Sequence, residues 1–150
     1  SYLQNFSVAT EETVLSGLFF KSDGTKMYIT GDTGNDVNEY DLSTAWDVTT
    51  ASFTTNFSVS SQATTPNGVA FNSTGTKMYV SDEVTASVYQ YSLSTAWDVS
   101  SLITASVQIS PDLSWLDTSV QSVGVHPDGT SMWFGCVTSN VVKTVTTTTL

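Results

Sequence analysis

The sequence predicts an all-β chain, a β-propeller arc of three four-stranded blades. Three observations carry this: a repeat 51 residues long, four short strand-like runs in each repeat, and tight turns between the first two runs. Gly17-Leu18-Phe19-Phe20-Lys21-Ser22-Asp23-Gly24-Thr25-Lys26-Met27-Tyr28-Ile29 returns as Gly68-Val69-Ala70-Phe71-Asn72-Ser73-Thr74-Gly75-Thr76-Lys77-Met78-Tyr79-Val80. At the same offset Tyr40-Asp41-Leu42-Ser43-Thr44-Ala45-Trp46-Asp47-Val48 returns as Tyr91-Ser92-Leu93-Ser94-Thr95-Ala96-Trp97-Asp98-Val99, and Asn5-Phe6-Ser7-Val8 as Asn56-Phe57-Ser58-Val59. A third, diverged copy opens near Ser122 and carries Val125-His126-Pro127-Asp128-Gly129-Thr130-Ser131-Met132-Trp133-Phe134.

Within a unit, β-branched and aromatic runs alternate with turn residues, and no stretch keeps apolar residues at helical spacing. The first unit reads as strand A over 17–21, B over 26–31, C over 36–42 and D over 53–59. The second has A at 68–72, B at 77–81, C at 86–93 and D at 103–109; the third has A at 122–126, B at 131–136 and C at 140–147. Asp23-Gly24, Thr74-Gly75 and Asp128-Gly129 fall between strands A and B, where a tight hairpin needs a residue that tolerates positive φ.

Residues 1–8 match strand D with no A, B or C ahead of them, so the order is D-ABCD-ABCD-ABC. The whole of 1–150 reads as a single half-ring domain, with blade repeats at about 9–59, 60–110 and 111–150 plus the strand at 1–8. Propellers usually hold four to eight blades, so three predict a ring completed by oligomerisation, six blades from a homodimer. The first strand of one chain then completes the last blade of the other. A lone arc exposes an apolar blade face at each end and an unpaired sheet edge.

Composition excludes several partners. Four basic residues stand against fourteen acidic ones, a formal charge of -10, so nucleic acid is excluded as a partner because phosphate binding needs clustered cations. No run is apolar enough for a membrane-spanning helix, and the first residues do not read as a signal peptide. Cys136 is the single cysteine; it lies in an apolar run and reads as a small buried residue, with no disulfide and no cysteine zinc site.

Candidate chemistry is sparse. His126 is the only histidine, and its repeat counterparts are Lys21 and Asn72, which reads as a solvated strand end and not a general base. No nucleophile elbow, phosphate loop or metal-histidine pair is present. Gly31-Asp32-Thr33-Gly34-Asn35-Asp36 gathers oxygen ligands, so a Ca²⁺ site is conceivable there, but the spacing is that of an ordinary polar turn and neither metal nor cofactor is expected. The candidate ligand-binding residues are Trp46, Trp97 and Trp115. Trp46 and Trp97 recur with their whole strand, which also suits packing of the C to D connection onto its own blade, with Asp47 and Asp98 capping a turn. Trp115 sits in 110–119, an insertion in the third D to A connection, on the propeller end where inserted loops serve binding.

The unit Asp23-Gly24-Thr25-Lys26-Met27-Tyr28, with Leu42-Ser43-Thr44-Ala45-Trp46-Asp47-Val48 behind it, resembles repeat propellers of marine bacteria and their phages. Pro127-Asp128-Gly129-Thr130 is similar to the repeats of lactonase-like and surface-layer propellers. The resemblance implies the fold and an extracellular or virion setting. With no catalytic group in sight, the expected function is a non-enzymatic structural, decoration or receptor-binding module. It would partner other copies of itself, other virion proteins or a cell-surface glycan. An oligomeric lectin that binds carbohydrate through the tryptophans is the alternative, and a lactonase-like hydrolase a second.

Overall fold

The computed structural model describes residues 4–103, 108–109 and 117–146. The first sheet runs β1 (Leu15–Phe20), β2 (Lys26–Gly31), β3 (Asp36–Leu42) and β4 (Ala51–Ser58), all antiparallel. A second repeats this with β5 (Pro66–Phe71), β6 (Lys77–Asp82), β7 (Ser87–Ser92) and β8 (Gln108–Ile109). The third holds β9 (Val120–Val125), β10 (Ser131–Cys136) and β11 (Val141–Thr146). These are three blades of a β-propeller. Connections A–B and C–D lie at one end of each blade, and B–C and D–A at the other.

The A strands begin two residues earlier than their sequence pattern predicts. The cause is an irregularity between Leu15 and Gly17, and again between Pro66 and Gly68, that interrupts the alternation. At these glycines neighbouring inner strands come close: a Cβ on Gly17 would lie 2.5 Å from the Asn67 carbonyl oxygen, and one on Gly68 2.9 Å from the Val123 nitrogen. Ser16 Oγ bridges the first of these gaps, donating to the Pro66 carbonyl at 2.8 Å. Three inner strands thus stand side by side around a common axis.

Blades pack face to face. Tyr28, Val37 and Val59 of the first blade meet Val69, Phe71, Met78 and Tyr91 of the second, and Tyr79 and Val88 of the second meet Val120, Met132 and Phe134 of the third. Cys136 is buried in the latter core as a free thiol. The middle blade is therefore buried on both faces, all along β5 and through most of β6 and β7. In the outer blades β1 and β9 are largely open to solvent on one side. A buried polar strut reinforces the first junction: Glu39 accepts from Lys26 Nζ through one oxygen and from the Val99 N–H at 2.9 Å through the other.

Residues 4–8 carry no strand, unlike the D strand expected over 1–8, because no strand C stands beside them in this chain. They nevertheless hold the corresponding place. Phe6 lies edge-on to Tyr40 at 5.7 Å, as Phe57, 51 residues on, lies edge-on to Tyr91 at 6.2 Å. The Glu12 and Ala63 amides, also 51 apart, donate to the carbonyls of Val8 and Val59 respectively.

Candidate functional site

At the B–C and D–A end, a carboxylate ties the two connections of each blade together. Glu12 accepts from the N–H groups of Val14, Thr33 and Gly34. Asp82 accepts from the Thr65 N–H at 2.9 Å and the Thr85 N–H at 2.8 Å, and Asp117 from the N–H groups of Ser119 and Ser139 and the Ser139 hydroxyl. Backbone donors saturate these three, so their work is to fix the rim.

Burial pushes the Glu12 carboxyl upward, but the Thr33 hydroxyl and the Val14, Gly34 and Thr33 amides outweigh it and hold the group below the usual range. Hydrogen bonding, led by the Ser139 side chain, likewise holds Asp117 low. A carboxyl lowered on folding adds stability that is complete above its ordinary value, 4.5 for Glu12, and drains as pH falls through the lowered one. Acid titration followed by circular dichroism should show constant stability down to about pH 5 and a decline below about pH 4. Glu12→Gln should flatten part of that decline; an unchanged slope would count against the strut.

Glu83 differs from the rim carboxylates, because the groups donating to it are side chains on the inner edge of two blades. Asn67 Nδ2 donates to Oε2 at 2.7 Å, while Gln121 Nε2 and Ser119 Oγ approach Oε1 at 3.4 and 3.5 Å. Ser16, Asn67 and Gln121 occupy matching polar places on the inner strands β1, β5 and β9. Gln121 also borders an open hollow of about 610 Å³, walled by Ser16 across the axis and by Ser122 and Asn140. Glu83 and Asn67 do not line that hollow. A carboxylate held by neutral donors can take a proton from a bound water, and a primary amide that donates one N–H has a second to offer an anionic oxygen.

The residues singled out from sequence lie elsewhere. Trp46 and Trp97 stand at the A–B end, each in a left-handed conformation with its indole laid on the turn glycine of its own blade, Gly24 or Gly75. Trp46 is 56% exposed. Trp97 stacks on Phe19 and Phe71 with Lys21 Nζ over its ring, beside an apolar hollow of about 400 Å³. Asp47 and Asp98 cap the 3₁₀ turns behind them. Trp115 lies outside the described residues. His126 is a solvated strand end paired with Asp128. In the 31–36 loop, Asp36 spends its two oxygens on Asn38 and Asn56 and holds a turn. Among the described residues no group of acidic, His and Cys side chains is arranged to hold a metal.

The arylesterase family profile matches residues 53–147, more than half of the chain, a span that includes Asn67, Glu83, Ser119 and Gln121. The chain belongs to the arylesterase family. That membership overturns the expectation of a non-enzymatic virion, decoration or lectin module. The sequence carries no nucleophile elbow and no histidine placed as a general base, the signals by which a hydrolase is read from residues alone. Solved structures similar in fold include a candidate 6-phosphogluconolactonase from Bacteroides fragilis, at TM-score 0.61 and 15% identity, covering 86% of this chain and 33% of that one. A second candidate 6-phosphogluconolactonase, from Bacteroides uniformis, has TM-score 0.62 at 13% identity and covers 95% and 40%. Hydrazine synthase from Kuenenia stuttgartiensis has TM-score 0.61 at 17% identity and covers 98% and 36%. The arylesterase-family chain thus spans well under half the length of each. Among curated proteins none matches its sequence.

Proposed function

We propose that the chain is the blade set of an ester or lactone hydrolase whose reacting carboxylate is Glu83. The observation that supports this most is the family match over a span that holds Glu83 and all three of its side-chain donors from β5 and the third blade. The carboxylate withdraws a proton from a water as that water adds to the acyl carbon. A free N–H of Asn67 or Gln121 donates to the carbonyl oxygen as it becomes negative. Collapse of the adduct breaks the acyl–oxygen bond, the leaving oxygen takes the proton back from Glu83, and the products are an acid and an alcohol.

Glu83→Gln preserves size but removes the base and turns one of its two acceptor oxygens into a donor. With phenyl acetate as substrate, kcat should fall about 100-fold while circular dichroism shows the variant folded. Undiminished turnover in that variant would overturn the assignment.

A further inference from the structure

The first blade carries an open apolar face that its own repeat has already shown how to cover. Leu18 is 55% exposed, whereas its counterpart Val69 is 4% exposed beneath the first blade. With Phe6, Leu15, Phe20, Met27 and Ile29, Leu18 borders a groove of about 300 Å³. Phe20, Met27 and Ile29 repeat Phe71, Met78 and Val80, which lie in the core that the first and second blades share.

The complementary surface stands at the other end of the chain. On β10, Trp133 faces away from the second blade and is 38% exposed, while its counterparts Tyr28 and Tyr79 are 0% and 8% exposed because each inserts into the next blade. Tyr28 seats against Phe71 at 4.4 Å and donates its hydroxyl to the Trp97 carbonyl at 2.7 Å. Trp133 has the same aromatic bulk and the same kind of donor, an indole N–H. Val142, 75% exposed, shares its face through pairing with Gly135. Residues 4–8, meanwhile, stand on the first blade where a preceding blade's outer strand belongs, and the third blade holds three strands among the described residues.

We infer that the third blade of a second copy of this chain docks on the first blade. There its Trp133 fills the groove of Leu18 and Phe20, and its indole N–H donates to the Trp46 carbonyl. The N-terminal segment of the receiving copy lies as the outer strand of the docked blade. Two such junctions close six blades into a ring, within the usual range for propellers. The inference stands apart from the hydrolase reading, since its readout is mass and not turnover.

The wild-type protein should run by light scattering at about 32 kDa, twice the chain's 16.1 kDa. Leu18→Glu and Trp133→Glu change exposed residues, one at each half of the junction, so each variant alone should run as a 16.1 kDa species with unchanged circular dichroism. Mixed in equal amounts, they still share one intact junction and should restore a species of about 32 kDa. Val142→Glu replaces Trp133→Glu if that variant does not fold. A wild-type mass of 16.1 kDa at all concentrations, or a mixture that stays at 16.1 kDa, would overturn the inference.

Discussion

Phe71→Ala should cost about 3–5 kcal/mol of stability, the usual range for emptying a buried aromatic site. Phe71 is 4% exposed at the centre of the junction between the first two blades. Its ring lies 4.4 Å from Tyr28, 5.3 Å from Phe19 and 5.4 Å from Trp97, so truncation leaves a void walled by three aromatics from two blades. Those rings are fixed by their strands and cannot all move inward, and aromatic pairing adds about 0.5–1.5 kcal/mol per contact beyond the area lost. Urea unfolding at constant m measures the cost. A loss under about 1 kcal/mol would mean that the blades are not held together through this cluster.

Gly75→Ala should cost about 3 kcal/mol, and Gly129→Ala only about 1 kcal/mol, although the two residues hold the same place in the same turn. Both lie at positive φ, +69° and +74°, so both incur the strain of a left-handed alanine. The difference is what stands above them. A Cβ on Gly75 meets the Trp97 ring at 2.2 Å, whereas one on Gly129 finds nothing within 4 Å. Lifting Trp97 also separates it from Phe19 and Phe71. Among the described residues no tryptophan covers the Gly129 turn, so it serves as the internal control. Equal losses in thermal melts of the two variants would contradict the packing assigned to Trp97.

Much of this architecture was legible in the sequence because it repeats. The expected B strands at 26–31 and 131–136 coincide with β2 and β10, since two hairpin signals bound them. The A strands were harder to place, because the bulges before Gly17 and Gly68 break the alternation on which strand patterns rest. Of the outer strand expected over 103–109, β8 at Gln108–Ile109 lies among the described residues, and residues 104–107 lie outside them.

The site was less legible. Asn67, Glu83, Ser119 and Gln121 are scattered over the second and third blades, and only folding brings them together. One signal was available: a polar residue, Ser16, Asn67 or Gln121, recurs at the same place on three inner strands, with an acidic Asp32 or Glu83 after two of the second strands. The recurrent tryptophans are the louder signal in the sequence, and their recurrence follows from their seats on Gly24 and Gly75.

The most direct test is to measure steady-state hydrolysis of phenyl acetate and of a simple δ-lactone by the wild-type protein, beside Glu83→Gln and Trp46→Ala. The account predicts saturable turnover that survives in Trp46→Ala and falls about 100-fold in Glu83→Gln. Turnover that is absent from the wild type, or lost with Trp46 and retained without the Glu83 carboxylate, would contradict it.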